Sequence, residues 1–103
     1  MGRVHRITNK YDEGVRTLSF EVFPPRTDEA TAALYDTVGV LATIGPDYVS
    51  VTYGAGGSTK GRTLEVAEGI QERFDLSTMH HLTLVNQTRD ELVEVIGQIR
   101  NAG

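Results

Sequence analysis

Three times in succession this 103-residue chain passes from the two-residue period of a strand to the three- and four-residue spacing of a helix. Thr17 to Phe23 alternates as Thr-Leu-Ser-Phe-Glu-Val-Phe and is stopped by Pro24-Pro25, neither of which can donate to a β-ladder. A helix is expected to open at Thr27 or Asp28, both good N-cap types, with Ala30, Leu34, Val38, Leu41 and Ile44 on its apolar stripe. Gly45-Pro46 marks its end. Tyr48 to Thr52 reads as a second strand, and Gly54 to Gly61 as a glycine-rich loop. The next helix carries Leu64, Ala67, Ile70 and Phe74 on one face, and Met79 to Val85 reads as the third strand. Thr88-Arg89-Asp90-Glu91 has the form of a capping box, opening a helix with the stripe Leu92, Val95, Ile96 and Ile99.

Strands joined by crossover helices run parallel with helices on the sheet faces, so the expected fold class is α/β. Period two then separates the two sides of each strand. Leu18, Phe20 and Val22 oppose Thr17, Ser19 and Glu21 in the first. Val49 and Val51 oppose Tyr48, Ser50 and Thr52 in the second. His80, Leu82 and Leu84 oppose His81, Thr83 and Val85 in the third. One face is apolar and the other is mostly small, hydroxylated or ionisable. A doubly wound sheet is apolar on both faces, whereas a barrel has a distinct inner one, and polar groups there need partners that a ligand can supply.

The reading is therefore the first three βα units of a (β/α)8 TIM barrel with a site at the strand C-terminal ends. A full barrel takes roughly 250 residues. Residues 17–103 are expected to be part of such a barrel, stopping before a fourth strand, and the chain part of a larger protein. Residues 1–16 show no clear period and read as an N-terminal extension with at most a short helical turn.

Composition removes several classes of function. There is no cysteine, hence no disulfide scaffold, thiolate metal site or cysteine nucleophile. A net charge of −4 without a basic cluster argues against nucleic acid as partner. No apolar run approaches the ~20 residues that span a bilayer, and residues 1–12 are too polar for a signal peptide. The expectation is a cytoplasmic chain without membrane partners.

Glu21 is the first candidate for chemistry. It sits at the end of the first strand on the polar face, where a carboxyl held part-way out of water keeps its proton more readily and can act as a general acid. The plainer alternative is an edge carboxylate paired with Arg26 or solvent. Thr52-Tyr53-Gly54-Ala55-Gly56-Gly57 runs from a strand into a loop whose glycines admit close backbone approach to a ligand. Two phosphate-binding motifs nearly fit this loop, but Thr59 stands where the dinucleotide fingerprint needs glycine and Arg62 where a P-loop needs lysine. His80 and His81 are adjacent in a strand, so their rings point to opposite faces and suit no common metal. His81 shares a face with Thr83, while His80 belongs among the helices.

Three co-linear motifs resemble the methylenetetrahydrofolate reductase family. They are Ser19-Phe20-Glu21-Val22-Phe23-Pro24-Pro25-Arg26-Thr27, then Val49 to Thr59 (Val-Ser-Val-Thr-Tyr-Gly-Ala-Gly-Gly-Ser-Thr), then His81-Leu82-Thr83. Val22 stands where many members have phenylalanine, and Leu84 where many have cysteine. The resemblance implies a (β/α)8 barrel that binds FAD and uses NAD(P)H to reduce 5,10-methylenetetrahydrofolate to 5-methyltetrahydrofolate, a step of one-carbon metabolism. It implies Glu21 as general acid, Thr52 near the nicotinamide, and Tyr53, Ala55 and His81 as flavin contacts; the ligand spacing already argues against a metal site. Assembly into a homo-oligomer is compatible with it. The alternatives are a phosphate- or nucleotide-binding module built on Gly54–Gly61, and a non-catalytic barrel fragment serving as an assembly surface.

Overall fold

The computed structural model describes residues 6–12, 14, 16–53 and 60–103, with only the backbone described at Asp12, Lys60 and Gly61. Its elements are α1 (Ile7–Asp12), β1 (Ser19–Val22), α2 (Asp28–Ala42), β2 (Tyr48–Val51), α3 (Lys60–Phe74), β3 (Ser77–His80) and α4 (Arg89–Asn101). The strands form one parallel sheet in the order β1-β2-β3, which is the expected α/β arrangement.

The helix ends follow local chemistry. The Thr27 hydroxyl accepts from the Ala30 amide at 3.1 Å and caps α2. Three turn bonds close the other end of α2, from the amides of Thr43, Ile44 and Gly45. Gly45 sits at φ +79, where a side chain would be strained. At α4 the expected capping box is complete: the Glu91 amide donates to Thr88 Oγ1, and the Thr88 amide donates to the Glu91 carboxylate.

The apolar strand face packs under two helices. Val22, Val49 and Val51 meet Tyr35 and Val38 of α2 and Val66, Ala67 and Ile70 of α3, with Leu34, Phe74 and Leu76 at the margin. Tyr35 lies across Gly69, where even an alanine Cβ would collide with the phenol hydroxyl, and the Arg73 guanidinium stacks 4.1 Å from its ring centre. Burial pushes the Tyr35 phenol upward. Thr63, fully buried near the start of α3, donates to the Thr52 carbonyl at 3.0 Å and fixes the helix to the end of β2. Gln71 accepts from Thr78 of β3 at 2.8 Å and donates to the Ala102 carbonyl at 3.2 Å, linking β3 to the end of α4.

Several boundaries differ from the sequence reading. The third strand occupies Ser77–His80 rather than Met79 to Val85. A parallel strand lasts only as long as its neighbour. The His81 amide still donates to the Val51 carbonyl, but β2 ends at Val51 and offers no longer ladder. α2 stops at Ala42, which leaves Ile44, expected on its apolar stripe, in the exposed turn. α3 opens at Lys60, so Lys60 and Gly61, read as loop, are helical. In the N-terminal region α1 reaches the sheet, with Tyr11 and Tyr48 sharing a hydroxyl–hydroxyl bond of 2.8 Å.

Candidate active site

Register brings the polar face together. Glu21 pairs with Ser50, and Ser50 with Met79, so the three lie side by side on the face opposite the helices. The Ser50 hydroxyl, in a residue only 8% exposed, donates to Glu21 Oε1 at 3.4 Å. His81 stands one residue past β3, and its Nε2 lies 3.7 Å from the same oxygen. The pair is ionic when the imidazole carries a proton, and both side chains remain substantially open to water. The Glu21 side chain is 53% exposed, so about half of it is screened from water. β1 is an edge strand of the described sheet, so among the described residues no further strand pairs on its other side.

Thr52 follows Ser50 by alternation. Its amide donates to the Val22 carbonyl at 3.0 Å, which extends the ladder one step past β2. Glu21, Thr52 and His81 thus gather at the carboxyl ends of the strands. Tyr53 does not join them. It is 7% exposed on the helix side, with its ring 5.7 Å from that of His80. Its hydroxyl has no hydrogen-bond partner among the described residues, and burial pushes the phenol upward. Ala55 and the rest of Gly54 to Thr59 lie outside the described residues.

His80 faces the helices, as alternation requires. It borders a cavity of about 60 Å³ with Leu64, Ala67, Gln71, Thr78 and Ile99. Both ring nitrogens are closed off without a hydrogen-bond partner among the described residues, and burial holds the imidazole below its ordinary value. Arg62 is turned toward α2: its guanidinium bonds Asp28 Oδ1 at 3.2 Å, with longer bonds to Thr31 and the Arg26 carbonyl. Among the described residues no group of three metal-ligating side chains occurs, and no helix is long and apolar enough to cross a membrane.

Ser50 is the residue that sequence reasoning left without a role. Its face was readable from period two, but its contact with Glu21 depends on the register between two strands.

A carboxyl, an imidazole and hydroxyls at the carboxyl ends of parallel strands form the kind of site that α/β enzymes build. The family model described as methylenetetrahydrofolate reductase matches residues 6–103, and the chain belongs to that family. It is 42% identical over 91 residues to the 5,10-methylenetetrahydrofolate reductase of Salmonella typhimurium, covering 88% of this chain and 31% of that protein. Against the Escherichia coli protein of the same name the identity is 38%, with the same coverage. Against methylenetetrahydrofolate reductase (NADH) 1 of Arabidopsis thaliana it is 35% over 100 residues, 97% of this chain and 17% of the plant protein. The chain thus spans a third or less of the length of these curated relatives.

Proposed function

We propose that this chain forms the first three βα units of a methylenetetrahydrofolate reductase barrel and that Glu21 is its proton donor. The observation that carries the reading is the meeting of Glu21 and His81 on the open sheet face, in a chain of this family. In 5,10-methylenetetrahydrofolate one carbon bridges two nitrogens. A proton passed from the Glu21 carboxyl to N10 lets the N10–carbon bond break, with its electron pair going to N10. The remaining N5–carbon unit is an iminium, and a hydride added at its carbon gives the 5-methyl product. Glu21 is left as the carboxylate, stabilised by the Ser50 hydroxyl and by His81 when that ring is protonated.

FAD, when bound, supplies that hydride after accepting one from NAD(P)H. The residues of this face suit such a group. Thr52 and His81 offer an uncharged hydroxyl and a ring nitrogen, the donor and acceptor types that match the polar edge of a flavin. With Ala55 they are assigned to the cofactor, Thr52 on the nicotinamide side, while the Tyr53 ring, buried on the helix side, is not. A group held by Thr52 and His81 would lie beside the Glu21 carboxyl and help to keep water from the proton transfer.

The second reading, a phosphate-binding module on the Gly54–Gly61 loop, needs Arg62 for the anion. The bonds from Arg62 to Asp28 and Thr31 favour a structural role for that guanidinium instead.

The test uses the full-length protein that carries this sequence. Flavin absorbance should bleach with NAD(P)H under anaerobic conditions and return on addition of 5,10-methylenetetrahydrofolate, with 5-methyltetrahydrofolate as product. A protein that carries no flavin and binds a fluorescent nucleotide with an affinity lost in Arg62→Ala would support the second reading.

A further inference from the structure

Glu21 is gripped by one oxygen. Ser50 donates to Oε1 at 3.4 Å, and His81 Nε2 approaches that same atom at 3.7 Å. Among the described residues no donor reaches Oε2. The asymmetry comes from the sheet: Glu21 and Ser50 are register partners on strands about 4.8 Å apart, close enough for a serine hydroxyl to meet a glutamate oxygen. Ser50 is nearly buried, whereas the Glu21 side chain is half open, so the serine is the fixed member of the pair.

A carboxylic acid has one O–H oxygen and one carbonyl-type oxygen, and a hydroxyl donor favours the unprotonated one. We propose that Ser50 is a positioning residue that holds Glu21 Oε1 as the acceptor and so leaves Oε2 to carry the proton to the substrate nitrogen. This rests on the reading of Glu21 as the general acid. Proton delivery by a half-exposed glutamate otherwise requires freezing a side chain with several free rotations, and one anchored oxygen removes most of that freedom. At 3.4 Å the bond is long for O–H···O, a length that can tighten as a catalytic group is drawn onto its target.

The experiment compares Ser50→Ala, Ser50→Thr and Glu21→Gln in the full-length protein by rapid mixing of each half-reaction. In Ser50→Ala the folate half-reaction should slow about tenfold, with KM for the folate little changed and flavin reduction by NAD(P)H at the parent rate. Ser50→Thr keeps a hydroxyl and should return the rate to within about threefold of the parent. Parent-rate folate reduction in Ser50→Ala would overturn the proposal, as would an equal loss in both half-reactions, which marks a merely structural serine. Glu21→Gln separates the two levels. If it abolishes folate reduction while Ser50→Ala does nothing, only the Ser50 role fails. If Glu21→Gln itself reduces folate normally, the reading of Glu21 as acid fails.

Discussion

The two faces of the sheet share three strands and two hydrogen-bond ladders yet are built to opposite ends. On the helix-covered face Val22, Val49 and Val51 are 7%, 1% and 0% exposed and meet α2 and α3. On the open face Ser19, Glu21 and Met79 are exposed, and the one charged side chain among them meets a serine and a histidine. The strand period separates the two by a single residue step, so stability and chemistry can vary almost independently along one short strand. The division is not simply dry against wet. Ser50 and Ser77 are buried on the open side, and His80 and Tyr53 bring to the covered side polar atoms that have no partner among the described residues.

The largest expected effect breaks the covered face. Ile70 is fully buried between α3 and the sheet, and Ile70→Ala should cost about 2–5 kcal/mol in the unfolding free energy of the full-length protein. A loss below about 1 kcal/mol on denaturant titration would show that this face does not carry the fold. Gly69→Ala is next. The new methyl displaces Tyr35 and its stacked Arg73, at a cost of about 1–3 kcal/mol that the better helix propensity of alanine only partly offsets.

His80 sharpens the comparison through pH. Burial holds its imidazole below the ordinary value, so the unfolded chain takes up the proton more readily than the folded one. Its contribution to stability is complete above pH ~6.5 and is lost progressively as the pH falls below that. Unfolding followed from pH 7.5 down to 5 should show a decline that His80→Gln flattens. An identical slope in the variant would place the pH dependence elsewhere. The smallest effect belongs to the open face: Glu21→Gln should change unfolding free energy by no more than about 0.5 kcal/mol, because an exposed pair contributes little.

Much of this was legible before the structure. Apolar period two in Phe20–Val22 and Val49–Val51, the Thr88–Glu91 box and the glycine after α2 are local signals that act through adjacent residues. The opposite orientations of His80 and His81 follow from the same period. What escaped depends on contacts across the chain. β3 begins at Ser77 because Tyr48 is there to pair with it, although Ser77 and Thr78 carry no apolar alternation of their own. Thr63 and Val66 lie off the expected stripe of α3 yet are fully buried, because the stripe is set by the helix's rotation onto the sheet. The same is true of the site. Glu21 stood out from its strand position, but the Ser50 hydroxyl and the shared oxygen Oε1 depend on register, which no single strand encodes.

The central claim is that the open face performs the chemistry through Glu21 and leaves the fold to the other side. The most direct measurement is the rate at which 5,10-methylenetetrahydrofolate reoxidises the reduced flavin in full-length Glu21→Gln protein, set beside its rate of flavin reduction by NAD(P)H. The account predicts that reoxidation by folate is lost while reduction by the nicotinamide keeps its parent rate. Folate reoxidation at the parent rate, or loss of both half-reactions together, would contradict it.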